Sequence, residues 1–153
     1  MKIRNCIVLI VTTLISCVSK TGDAPKHSAL PLTGTWQLIT GTLIEKGDTT
    51  VTDYTKKISF IKIINDTHFA FLQHDLTKGK DSAVFVAGGG LYSLKDSVYT
   101  EHLEYCSARE WEGNDFTFTI TIKNDTLIQT GIEKVEKEGI NRLNTEIYVR
   151  VKK

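Results

Sequence analysis

Residues 116–123 read Phe116-Thr117-Phe118-Thr119-Ile120-Thr121-Ile122-Lys123. Every even position is apolar and every odd position is polar, the period-two pattern of a strand with one face on a core and the other in water. The same alternation recurs on both sides of this segment, punctuated by turn residues. Candidate strands are 34–45, 56–64, 67–74, 82–94, 97–106, 116–123, 126–132 and 145–151, about eight at short spacing. Ile64-Asn65-Asp66-Thr67 and Lys123-Asn124-Asp125-Thr126 nearly repeat each other. Asn-Asp tolerates the positive φ of a two-residue hairpin loop, so each turn is expected to join antiparallel neighbours. Lys95-Asp96 reads as a third such turn. Consecutive hairpins make a meander, and eight meandering strands close into an antiparallel up-and-down β-barrel without exposed edges. A sandwich would need longer connections than most found here. The longest connection, 133–144, is rich in charge and reads as one helical turn or a loop, with Glu133 and Lys137 spaced to support a helix weakly.

Composition agrees with an all-β fold. The chain has 20 Thr, 16 Ile and 10 Val among 153 residues, against 6 Ala and 1 Met. β-branched side chains are stiff at χ1 and suit strands, so a helical bundle is disfavoured. A hydrophobic fraction of 41% with only 3 Cys excludes a disordered chain and a disulfide scaffold. The balance of 19 Lys+Arg against 18 Asp+Glu gives no basic excess for a nucleic-acid partner.

The first residues read differently. Lys2 and Arg4 form a positive start, residues 6–15 an apolar run, and Leu14-Ile15-Ser16-Cys17 follows. Ten apolar residues fall short of the roughly 20 needed to span a bilayer, so the segment reads as a secretory signal. Leu-Ile-Ser-Cys resembles the bacterial lipobox, and the resemblance implies cleavage before Cys17 and lipidation of that residue. Expected boundaries are a leader over 1–16, a lipidated Cys17 and tether over 17–31, and a barrel over 32–153. The tether holds both prolines, Pro25 and Pro31. Removing Lys2 and Arg4 moves the formal net charge from +1 to −1, and leaves Cys106 without an intrachain disulfide partner. The expected location is the bacterial cell envelope, membrane-anchored and at the outer membrane. Ser19-Lys20-Thr21-Gly22 carries no sorting signature.

Gly34-Thr35-Trp36 opens the first candidate strand, and Arg150 sits near the end of the last. This arrangement resembles the lipocalin or calycin superfamily, with G-x-W on the first strand and a basic residue on the last. The resemblance implies that Gly34, Trp36 and Arg150 close one end of the barrel, Arg150 packing over Trp36. The physics fits, since a guanidinium over an indole gains a cation–π contact. Gly88-Gly89-Gly90-Leu91-Tyr92-Ser93-Leu94 followed by 99–105 is also similar to uncharacterised lipocalin-like lipoproteins of Bacteroidetes. That likeness implies no reaction.

A two-residue turn at Lys95-Asp96 would set Tyr92 opposite Tyr99 and Gly90 opposite Glu101. The more apolar face then carries Tyr92, Tyr99, Glu101, Leu103 and Tyr105, the candidate ligand-binding residues. Two readings follow. Either Glu101 orients a ligand among the tyrosines, or the tyrosines are core and Glu101 lies near the rim or pairs with a Lys or Arg. A bulge at the glycines would flip part of this face. Cys106 is expected on the face opposite Glu101.

Other chemistries lack their motifs. Gly88–Gly90 has no Lys-Ser/Thr and no following helix, so it is not a phosphate loop. Glu101 and Glu104 face opposite sides of a strand and form no acid/base pair. His68 and His74 are too far apart for one metal. Trp111 reads as a loop aromatic at the barrel edge. The expectation is therefore a binding protein without catalytic residues, metal or cofactor, which holds a small hydrophobic molecule and meets the lipid bilayer through its anchor. The alternative is a filled barrel that serves as an interaction module for another envelope protein.

Overall fold

The computed structural model describes residues 30–152. The leader, Cys17 and the tether before Leu30 lie outside the described residues. Nine strands form: β1 (Gly34–Glu45), β2 (Asp48–Asp53), β3 (Ile58–Ile64), β4 (His68–Asp75), β5 (Phe85–Lys95), β6 (Val98–Cys106), β7 (Asp115–Lys123), β8 (Thr126–Val135) and β9 (Ile140–Arg150). β2 pairs with the second half of β1, Thr40 opposite Asp53, and β3 with the first half, Gln37 opposite Ile61. The two therefore occupy one strand position end to end. From β3 each strand pairs antiparallel with the next, and β9 returns to β1 along most of its length. The result is an all-β, closed, up-and-down barrel of eight strand positions, as the hairpin pattern predicts.

Three local differences from the sequence expectation have simple causes. β2 carries Asp48-Thr49-Thr50-Val51-Thr52-Asp53, mostly exposed and without apolar alternation, so its pattern is silent. Segment 133–144 is neither helix nor loop for most of its length. β8 and β9 run through it, Glu133 opposite Arg142, and a short 3-10 turn at Glu136–Glu138 joins them. Its inward side chains include polar ones, so the period-two signal fails although the backbone pairs. The Asn65-Asp66 turn is longer than expected, and Asn65 Oδ1 accepts the N–H groups of Thr67 and His68 at 2.9 and 2.7 Å. The Asn124-Asp125 turn does adopt positive φ, 50° and 60°.

The third hairpin decides which side chains enter the barrel. Lys95 pairs with Val98, so the turn is Asp96-Ser97, with Asp96 at φ 57°. Tyr92 stands opposite Glu101 and Leu94 opposite Tyr99. Further along, Gly89 pairs with Tyr105 but Gly90 with Leu103, leaving Glu104 as a one-residue bulge on β6. Gly90 permits this approach, since a Cβ there would lie 2.0 Å from the His102 carbonyl oxygen.

One end of the barrel is packed solid. Trp36, Ile64, Phe69, Tyr99, Ile120, Leu127 and Tyr148 are fully or almost fully buried there, along with Leu38. The 116–123 strand behaves as its pattern requires, with Phe116, Phe118 and Ile120 buried and the threonines between them exposed. Arg150 closes the end: its Cζ lies 4.0 Å from the Trp36 ring centroid. Its Nη1 donates to Thr33 O at 2.8 Å and its Nη2 to Pro31 O. Trp36 Nε1 donates to Leu32 O at 2.8 Å. Gly34 is at φ +143°, and a Cβ there would lie 2.6 Å from Arg150 Nη1, so glycine is required where the guanidinium crosses. Replacing Arg150 by Leu removes the cation–π contact and two hydrogen bonds to main-chain carbonyls. A loss of about 1–3 kcal/mol is expected, read as a lower urea midpoint. An unchanged midpoint would remove the clasp from the account of closure.

Candidate functional site

The other half of the barrel is hollow, with a cavity of about 350 Å³. Its position follows from strand parity. Moving inward from the packed end, each strand presents its next in-facing residue: β3 passes from Ile64 to Lys62, β6 from Tyr99 to Glu101, β8 from Leu127 to Gln129 and β9 from Tyr148 to Glu146. Those four polar residues form a layer above the packed end, and all four line the cavity. Beyond the layer, one wall is apolar, with Phe60, Phe71, Leu103, Phe116 and Phe118. The opposite wall, from β8 and β9, carries Glu133, Arg142 and Asn144.

The polar layer is a connected network. Lys62, 2% exposed, donates from Nζ to Glu101 Oε1 at 2.6 Å and to Gln129 Oε1 at 3.1 Å. Gln129 Nε2 donates to Glu146 Oε2 at 3.1 Å, and Tyr148 OH donates to the same oxygen at 2.8 Å. Lys62 Nζ also lies 5.2 Å from the Tyr148 ring centroid. The Tyr99 hydroxyl, among the described residues, is the buried side-chain polar atom without a hydrogen-bond partner. Nearer the far end, Arg142 Nε binds Glu133 Oε2 at 2.7 Å, Asn144 Nδ2 binds Glu133 Oε1 at 2.7 Å, and the Arg142 guanidinium lies 5.3 Å from the Trp111 ring centroid.

Burial and mutual pairing shift the ionisable groups of this network. Desolvation pushes the Glu101 carboxyl above its ordinary value, and the adjacent Lys62 ammonium only partly opposes that. Desolvation pulls Lys62 down, but the fields of Glu101 and Glu146 outweigh it and the ammonium is raised. Burial raises the phenols of Tyr99 and Tyr148, with Glu101 and Glu146 adding in the same direction.

Of the residues expected to line a pocket, Glu101 and Leu103 do so. Tyr99 is fully buried in the packed end, its ring 5.3 Å from that of Tyr92, whose hydroxyl donates to Asn65 O at 2.9 Å. Neither tyrosine lines the cavity. Tyr105 is corrected outright: it is 68% exposed on the outer surface. The Glu104 bulge turns it out and turns Cys106 in, so Cys106 shares the cavity with Glu101 instead of facing away from it. Glu101 pairs with a lysine, as one of the two sequence readings allowed, and it does so at the base of the cavity. Trp111 sits on a 3-10 turn between β6 and β7, 5.7 Å ring to ring from Phe116, and lines the cavity.

Sequence reasoning missed Lys62, Gln129, Glu146, Glu133, Arg142 and Asn144. For the first two a signal existed. Lys62 occupies an in-facing position between Phe60 and Ile64, and Gln129 one after Leu127, where a filled barrel would place an apolar side chain. Among the described residues, no group of three or more His, Cys, Asp and Glu side chains could hold a metal ion. His102 instead meets Asp115 at 2.8 Å, with both side chains well exposed.

The raised Glu101 carboxyl has a consequence for stability. Between its ordinary 4.5 and its folded value, the native state binds more protons than the unfolded chain. Stability therefore falls as pH rises upward from 4.5 through that window. Urea unfolding across this range should show the decline in the unaltered protein and a flatter profile in Glu101→Gln. Parallel profiles would refute the assignment to Glu101.

No curated protein matches the chain. Residues 31–153, which include every strand and the whole lining of the cavity, match the family described as Domain of unknown function (DUF4488), and the chain belongs to that family.

Proposed function

We propose that this protein is a lipid-anchored, lipocalin-like carrier of the bacterial cell envelope that binds a small, largely apolar molecule in the hollow half of its barrel. The observation that carries the reading is the cavity of about 350 Å³, at the lower end of the roughly 300–1,000 Å³ usual for ligand pockets. Apolar walls with a few convergent polar groups are what such pockets use, the first for affinity and the second for orientation. The Gly34, Trp36 and Arg150 clasp supports the lipocalin-like assignment, and a half-hollow barrel favours a carrier over a filled interaction module. The reading includes no catalytic step and no cofactor. Anchoring rests on the Leu-Ile-Ser-Cys sequence at 14–17, with several acyl chains holding the protein on a bilayer without a spanning helix.

Two experiments test this. N-phenylnaphthylamine, an uncharged fluorophore, should brighten in the presence of the full-length protein. Ala108→Trp, which fills cavity volume, should weaken that binding about tenfold or more. No difference between the two proteins, together with no small molecule copurifying from the native host by native mass spectrometry, would sink the carrier reading. For the anchor, Cys17→Ala should move the protein from the membrane to the soluble fraction. Continued membrane retention would refute lipidation at Cys17.

A further inference from the structure

The charges inside the barrel do not balance. Facing the cavity are two cations, Lys62 and Arg142, and three carboxylates, Glu101, Glu133 and Glu146. Arg142 is paired with Glu133 at 2.7 Å and Lys62 with Glu101 at 2.6 Å. Glu146 is left with Lys62 at 3.9 Å and with two neutral donors, Gln129 and Tyr148. All of these contacts reach Oε2, and Oε1 takes none of them. Its side chain is 16% exposed, and the residue lines the cavity. Glu146 is thus the surplus anion, held in a site of low dielectric that faces aromatic walls. Beneath the same layer lies the unmet hydroxyl of Tyr99.

We propose that the ligand is an amphiphile with a protonated amine, the amine seated on Glu146 and an apolar, ring-containing body lying against Phe60, Phe71, Phe116 and Trp111. The proposal rests on the carrier reading and deepens it. An ammonium supplies the charge that the interior lacks, and the surrounding rings favour a cation over their faces. A ligand carboxylate would meet the opposite situation. Both interior cations already have carboxylate partners at short distance, so a bound acid would have to displace one of them or remain unpaired beside three anions. Lys62 does not repel the amine as a free cation would, because Glu101 neutralises it. Selection by charge then acts on top of selection by apolar burial, so ligands of the same shape should separate by the sign of their head group.

Three indole derivatives of similar size supply the test: tryptamine, cationic; tryptophol, neutral; and indoleacetate, anionic. Equilibrium dialysis against the full-length protein at neutral pH should rank them in that order, with tryptamine about tenfold or more tighter than tryptophol. Glu146→Gln should erase the advantage of the amine over tryptophol. The ranking on the unaltered chain decides the matter even if that variant does not fold. Indoleacetate binding as tightly as tryptamine, or an amine advantage that survives Glu146→Gln, would overturn the proposal. If N-phenylnaphthylamine binds and the three indoles bind without preference for charge, the carrier reading stands and the amine assignment falls. If none of these compounds binds and no small molecule copurifies from the native host, both fall.

Discussion

Closure of the sheet depends on β1, the strand that pairs with three others. Along one edge it meets β9, and along the other it meets β3 and then β2. The stack of Arg150 on Trp36 lies where β9 and β1 come together, Trp36 opposite Arg150 in register. The guanidinium fork also holds the incoming chain through Pro31 and Thr33, and Arg150 Nε reaches Asp125 at 3.3 Å in the β7–β8 turn. One side chain thus ties together the entry of the chain, its last strand and a hairpin. That end is packed, and the other half of the barrel stays open.

The hollow half carries a cost that the packed half does not. Lys62 and Glu101 are buried with a direct contact of 2.6 Å, and a buried ion pair recovers by mutual attraction only part of what desolvation takes. A pair of well-packed apolar residues would serve stability as well or better. Ions are nevertheless retained at this depth, beside the cavity and beside Glu146, whose closest partners are the neutral Gln129 and Tyr148. The same cluster makes the cavity asymmetric, with aromatic surface from β3, β4 and β7 facing polar side chains from β8 and β9. That asymmetry can orient an occupant as well as enclose it.

Strand 116–123 was legible because its inner face is wholly apolar and its outer face polar. The stretch 133–144 was not, because Glu133, Arg142 and Asn144 point into a cavity, where polar side chains break the alternation that marks a strand. Tyr105 was misplaced for a different reason. A single extra residue at Glu104 reverses every side chain beyond it, and nothing local in His102-Leu103-Glu104-Tyr105-Cys106 announces where the bulge falls. The site was half visible: Glu101 was found as a charge on an inward strand face, but its partner Lys62 lies 39 residues away.

By itself the sequence determined the strand class, most of the hairpin order and the barrel topology, while the clasp residues came from its resemblance to the lipocalins. Those features rest on local quantities: the period of hydrophobicity, turn conformations and the residue types at the two ends of the chain. Only the tertiary structure decided which residues meet inside. The base of the cavity draws Lys62, Glu101, Gln129 and Glu146 from four different strands, and their convergence depends on strand register and on one bulge. Burial and net charge of such a cluster are properties of the closed barrel, since desolvation and pairing exist only once the walls have met.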